Sequence, residues 1–171
     1  ANGVWSVAEA TARLAEMEHH GIELAEQPSA DLGGLAAVRA ETGVEIAADE
    51  SVTGREDARR AVELGACGLA TVKLAKTGGV APAREVAAEL PVYVSSALDG
   101  PVGIAAAAHA VQAIRGDGRL APIAHGLATQ LLFAESIASS GCELRDGFLH
   151  LGDRPGLGVE IDRDALARHG V

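Results

Sequence analysis

The sequence predicts an α/β chain that forms part of a (β/α)8 barrel, and three observations carry that expectation. Short apolar runs alternate with helical patterns along most of the chain. The residues that end the first four runs, Glu26, Asp49, Lys73 and Ser95, lie 23, 24 and 22 residues apart, a repeat that suits parallel strands joined by crossover helices. A polar or ionisable residue ends each run, with His125 ending a fifth. A barrel brings such residues to one mouth, whereas an open sheet gathers only those beside its switch point and usually carries a Gly-rich phosphate loop, which is missing here.

Composition agrees with this class. Of 171 residues 48% are hydrophobic and 2% aromatic, and the Ala, Leu and Val that dominate suit helices packed on buried parallel strands. A net charge of −10 with scattered Lys and Arg speaks against a nucleic-acid partner, so the expected ligand is small. Cys67 and Cys142 are far apart and outside any C-x-x-C pair, as befits two buried reduced thiols. No stretch reaches the ~18 apolar residues of a spanning helix, and a signal peptide's basic and apolar regions are missing. The expectation is a soluble, cytoplasmic protein that makes no membrane contact.

Each element has a local reason. Ser6 and Glu9 form a capping box for a helix carrying Ala10, Leu14 and Met17 to about His20. A strand over 22–26 leads to a helix capped by Asp31, with Leu32, Leu35 and Val38 at helical spacing. Then come a strand over 45–49 with a helix over 55–64, and a strand over 69–73 with a helix over about 82–90. The strand over 91–95 precedes a helix opened by Pro101, and a fifth strand over 121–125 precedes a helix over 131–137. These five units correspond to strands 4 to 8 of a barrel, so residues 1–141 are expected to be its C-terminal part, with about three units upstream. Residues 142–171 are expected to form a tail outside the barrel, with a turn at Gly147 and a last helix capped by Asp162.

Glu26 and Asp49 end adjacent strands, which lie ~4.8 Å apart, so both carboxylates can reach one cation; oxygen-only donors favour Mg²⁺ or Mn²⁺ over zinc. Helix capping is the alternative for each. Lys73 ends an apolar strand, where an ammonium is costly unless a carboxylate or a functional site compensates it. It is either a catalytic lysine or the partner of Asp49 in a structural ion pair. Lys76 is expected in solvent. His19 and His20 fall at a helix end, His109 on an alanine-rich helix, and His125 is the histidine placed to line a pocket.

Four phrases, Glu26-Gln27-Pro28, Ala48-Asp49-Glu50-Ser51, Val72-Lys73-Leu74 with Thr77-Gly78-Gly79, and Ser95-Ser96-Ala97-Leu98-Asp99, resemble the muconate-lactonizing-like branch of the enolase superfamily. The resemblance covers nearly the whole chain. It implies that Glu26 and Asp49 are the second and third of three Mg²⁺ ligands, that Glu50 supports them, and that Lys73 is the sixth-strand catalytic lysine. Ala1-Asn2-Gly3-Val4-Trp5-Ser6 resembles the sequence just after the first metal aspartate, which places that aspartate and the second-strand lysines upstream of Ala1.

Within the superfamily, Ser95 to Leu98, Gly103-Ile104, Ala124-His125-Gly126-Leu127-Ala128-Thr129 and Pro155-Gly156-Leu157-Gly158 are most similar to the o-succinylbenzoate synthase family of high-GC bacteria. This implies Mg²⁺-dependent dehydration of 2-succinyl-6-hydroxy-2,4-cyclohexadiene-1-carboxylate in menaquinone biosynthesis, a carbon–oxygen lyase reaction. Ser95, Ser96, Ala97, Leu98, His125 and Gly126 would bind the substrate, and Lys73 would rest over the ring face. It also implies that this chain has no turnover without the upstream segment of the same enzyme, whose capping domain is the alternative packing surface for the tail.

Other readings stay open. N-acylamino acid racemisation and dipeptide epimerisation use the same scaffold; epimerases share the Lys73-to-Gly79 phrase but usually end their eighth strand in Asp-x-Asp, which is missing after Pro122. A Schiff-base aldolase barrel would employ Lys73 but leave Glu26-Gln27-Pro28 and Ala48-Asp49-Glu50-Ser51 without a role. A non-catalytic partial barrel would be expected to fill the strand ends with apolar or capping residues.

Overall fold

The computed structural model describes residues 1–170; Val171, the last residue of the expected tail, lies outside the described residues. Helix α1 (Val7–Glu18) starts where Ser6 accepts the Glu9 N–H, and it buries Ala10 and Leu14. Strand β1 (Leu24–Glu26) leads to α2 (Leu32–Glu41), whose N-cap Asp31 accepts the Gly34 N–H at 2.8 Å. β2 (Glu45–Ala48) is followed by α3 (Arg55–Leu64), which stops at Gly65 in a left-handed conformation that glycine adopts without steric cost.

β3 (Leu69–Val72) passes through a four-residue helix, α4 (Leu74–Thr77), before α5 (Val80–Glu89). β4 (Val92–Val94) precedes α6 (Pro101–Asp117). The strands are one or two residues shorter than the sequence pattern suggests: β1 starts two residues late at Leu24, β4 starts one residue late at Val92, and Asp49, Lys73 and Ser95 lie just beyond their strands.

The four strands form one parallel sheet in the order β1-β2-β3-β4, with Glu26 opposite Ala47, Ala47 opposite Leu69, and Thr71 opposite Tyr93. Residues alternate between two faces. Ala25, Ile46, Ala48, Ala70, Val72, Val92 and Val94 join the large core under the helices. Leu24, Ala47, Leu69 and Tyr93 form a smaller cluster on the inner face with Ala121 and Ile123. By the same alternation Glu26, Asp49, Thr71, Lys73 and Ser95 belong to the inner face, toward the C-terminal ends of the strands.

Two expected elements differ. In place of a fifth strand over 121–125, the chain makes only isolated parallel bridges, Leu120 with Val92 and Gly126 with Ser95. Pro122 has no N–H to give to a ladder, and the Val94 N–H donates to the His125 ring (3.2 Å) instead of to a backbone carbonyl. In place of a helix over 131–137 there is one 3₁₀ turn, Thr129–Leu132. Leu131 and Leu132 are exposed there, and a helix this short does not persist without an apolar face packed on something.

The tail forms an antiparallel hairpin, β5 (Cys142–Arg145) and β6 (Phe148–Leu151), turned by Asp146 and Gly147, both at positive φ. Leu149 and Leu151 pack on the core, and α7 (Arg163–Arg168) starts at Asp162, which accepts the Ala165 N–H at 2.9 Å. Cys67 and Cys142 are buried and free. Among the described residues, no helix is long and apolar enough to cross a membrane.

Candidate active site

Asp49 is the most enclosed charge of the site, 1% exposed, and two ammonium groups hold it. Lys73 donates to Oδ2. Lys76 donates to Oδ1 at 2.7 Å, to the Asp49 carbonyl, and to the Thr71 carbonyl at 2.8 Å. Lys76 is therefore not in solvent, as its loop position suggested; its side chain is 15% exposed, because α4 folds the chain back over the strand ends. Three acceptors match the three protons of its ammonium.

The electrostatics follow from this clamp. Burial pushes the Asp49 carboxyl up, but the hydrogen bonds and charges of Lys73 and Lys76 outweigh it and hold it below the usual carboxylate range. Burial opposes the charge on Lys73 too, yet Asp49, Glu26 and Glu50 raise its pKa above the ordinary value. For the more enclosed Lys76 burial prevails over Asp49 and the pKa is lowered. Since Lys76 faces a carboxylate and two carbonyls, we take the charged form as the one the geometry supports.

Glu26 has hydroxyl partners instead. Thr71 Oγ1 donates to Oε2 at 3.1 Å, and the Tyr93 hydroxyl donates to the same oxygen. Burial and the Glu26 carboxylate both raise the Tyr93 pKa, so the phenol stays a donor. Gln27 ties the two strand ends together. Its Oε1 accepts the N–H groups of Asp49 (2.8 Å) and Ser51 (3.3 Å), and its Nε2 donates to Ser29 O and Ser51 Oγ. Gln27 sits at φ 39, a left-handed conformation costing a non-glycine residue about 1–2 kcal/mol, which these bonds offset.

Of the remaining expected site residues, Ser95, Ser96 and Gly126 lie together, the Ser96 N–H donating to the Gly126 carbonyl at 3.0 Å. Glu50 is exposed and accepts a 3.4 Å hydrogen bond from Asn2 Nδ2, with no bond to Glu26 or Asp49. Gly126 lies so close to Ser95 that a Cβ there would meet Ser95 Oγ at 2.6 Å. Ser96 is buried against Thr129, 2.8 Å between hydroxyl oxygens, while Ala97 and Leu98 are exposed, Leu98 at φ 66. His125 lines a cavity of about 830 Å³ with Val111 and Arg115 of α6 and Phe148 and Leu149 of the hairpin. Burial and the Arg115 charge lower its pKa, so it is a neutral acceptor for the Val94 N–H. None of Glu26, Asp49 or Lys73 lines that cavity, and being roomy does not make it the site of the chemistry.

Among the described residues no three His, Cys, Asp or Glu side chains are grouped to hold a metal. The oxygen donors that are present still fit a hard divalent cation, since Mg²⁺ is commonly held by one or two protein carboxylates, with waters and substrate oxygens completing its shell. Glu26 and Asp49 are such a pair, at the same end of neighbouring strands, and no described residue donates to Glu26 Oε1.

Parallel βα units with carboxylates and a lysine at the strand ends form part of a barrel, and residues 1–165 match the family model described as enolase C-terminal domain-like; the chain belongs to that family. The o-succinylbenzoate synthase of Mycobacterium tuberculosis is 42% identical over 154 residues, which cover 87% of this chain and 45% of that protein. The muconate lactonizing enzyme of Pseudomonas putida superposes with a TM-score of 0.88 at 32% identity over 98% of this chain and 48% of its own. The L-Ala-D/L-Glu epimerase of Bacillus subtilis gives 0.82 at 30% identity over 92% and 45%. The chain thus spans about half the length of the relatives it matches.

Proposed function

We propose that this chain supplies part of the metal site and the sixth-strand lysine of an o-succinylbenzoate synthase, acting on a small cyclohexadiene carboxylate by removing a proton and then a hydroxyl group. The observation that carries the reading is the convergence of Lys73 and Asp49, next to Glu26, at one end of the sheet. The 42% identity to a synthase of that name favours this reaction over others of the superfamily.

Glu26 and Asp49 would hold the cation. A bound Mg²⁺ supplies positive charge beside the substrate carboxylate and so lowers the cost of removing its α proton. Lys73, partly exposed at 23%, is the ammonium free to turn toward a substrate, since Lys76 keeps Asp49 compensated when it does. It presents positive charge where negative charge develops, in a setting that water cannot match once the pocket is closed. Lys76 is saturated and takes no part in proton transfer.

A second reading, dipeptide epimerisation, is favoured by the likeness to the B. subtilis epimerase. Against it, Ile123-Ala124-His125 offers no carboxylate where those enzymes usually grip the substrate amine. The protein as its gene encodes it, assayed with Mg²⁺ on both substrates, separates the two. We expect dehydration that is lost with a chelator and in Asp49→Asn. Epimerisation without dehydration would overturn the assignment.

A further inference from the structure

β4 is separated from β1 by β2 and β3, yet the Tyr93 hydroxyl reaches Glu26. Thr71, the register partner of Tyr93, stands between them, 2.8 Å from the phenol oxygen and 3.1 Å from Glu26 Oε2. Thr71 carries one proton. When Thr71 gives it to Tyr93, Tyr93 gives its own to Glu26, and the two hydroxyls form a polarised chain ending on the carboxylate. Both hydroxyls are buried and both lie within hydrogen-bond reach of Oε2, so Thr71 supports the carboxylate either directly or through Tyr93.

Packing alone does not call for a phenol at this position. The neighbouring inner-face residues, Ala47 and Leu69, are aliphatic and fill the same cluster. A buried phenol requires a partner for its O–H, and the partner here is the more flexible of the two carboxylates, a glutamate with three rotatable bonds against two for Asp49. Asp49 needs no such help, because two lysines and a short side chain already fix it.

We infer that Tyr93, seconded by Thr71, is a positioning residue for Glu26, fixing the carboxylate through Oε2 and leaving Oε1 for a divalent cation shared with Asp49. The inference rests on the reading of Glu26 and Asp49 as cation ligands. It differs from a packing role, which Phe would fill equally well.

Mn²⁺ binding, followed by electron paramagnetic resonance together with thermal melts on the encoded protein, tests it without recourse to turnover. Tyr93→Phe should weaken Mn²⁺ about 10- to 100-fold, the range for partners that orient a metal ligand, while keeping a cooperative melt. Thr71→Val should weaken it in the same direction. If Tyr93→Phe does not fold, Thr71→Val carries the test, and wild-type affinity there overturns the inference. Wild-type affinity in a folded Tyr93→Phe also overturns it, while loss of binding in Glu26→Gln keeps the ligand reading intact. Equal Mn²⁺ affinity in wild type and Glu26→Gln, or no binding in either, removes the ligand reading and the positioning role with it.

Discussion

Lys76 reaches back from α4 to Asp49, its ammonium 2.7 Å from Oδ1, so that one buried carboxylate is held by two lysines from a single short segment. The two contribute differently. Lys76→Met strands the Thr71 and Asp49 carbonyls and half of the carboxylate, and should cost about 3 kcal/mol or more of stability. Lys73→Ala should cost less, because Lys76 still compensates Asp49, but should lower turnover by about 10²-fold or more. Urea midpoints and kinetics on the two variants check the ordering. A Lys73 variant that is the less stable of the two while turning over normally would make Lys73 the structural lysine.

Gln27→Leu keeps the volume but removes the acceptor for two backbone N–H groups and the donor for Ser29 O and Ser51 Oγ. Stranding buried donors costs about 1–3 kcal/mol each, so the melting temperature should fall by several degrees and the turn at Asp49 should loosen. Amide hydrogen exchange at Asp49 and Ser51 is the direct measurement, and unchanged protection there would refute this account of the turn.

Asp57 in the first turn of α3 accepts both the N–H (2.9 Å) and the hydroxyl (2.7 Å) of Thr53. The hydroxyl bond is the largest influence and lowers its pKa against burial. A carboxyl whose folded pKa lies below its unfolded value adds stability above the unfolded pKa and loses it as pH falls through the folded one. Asp57→Ala should therefore cost about 1 kcal/mol at neutral pH, and the difference from wild type should shrink as the pH drops below the ordinary carboxylate range. A difference that stays constant well below that range would contradict this role for Asp57.

Burial pushes both thiols up, Cys67 and Cys142 alike. Neither should react with a disulfide reagent at neutral pH until the protein unfolds, when two thiols should appear together. Rapid labelling of one of them under native conditions would reveal local opening around it.

Glu26, Asp49 and Lys73 were legible because a strand's two-residue period and its C-terminal end together fix where a side chain stands. Lys76 was not. Its burial depends on α4, a helix of four residues, too short for periodicity to register, although Thr77-Gly78-Gly79 marks the place where the chain must turn back. Tyr93 shares the inner face with Ser95 and could be assigned there by alternation, but its bond to Glu26 depends on how sharply four strands curve, which no local pattern encodes. The segment 131–137 shows the reverse: a good helical pattern without a surface to pack on forms only the end of a 3₁₀ turn, followed by bends.

The division of each strand into a helix-facing and an inner-facing row also guards the folding reaction against near misses. If β2 slid by one residue, Ile46 and Ala48 would leave the helix layer, and Glu45 and Asp49 would be driven into it beside Val38 and Val86. Bare carboxylates among aliphatic side chains are prohibitively costly, so a mispaired sheet is penalised on both of its faces at once. The carboxylate that we read as holding a cation in the finished protein thereby acts earlier as a proofreading device, rejecting the alignments of its strand that exchange its two faces.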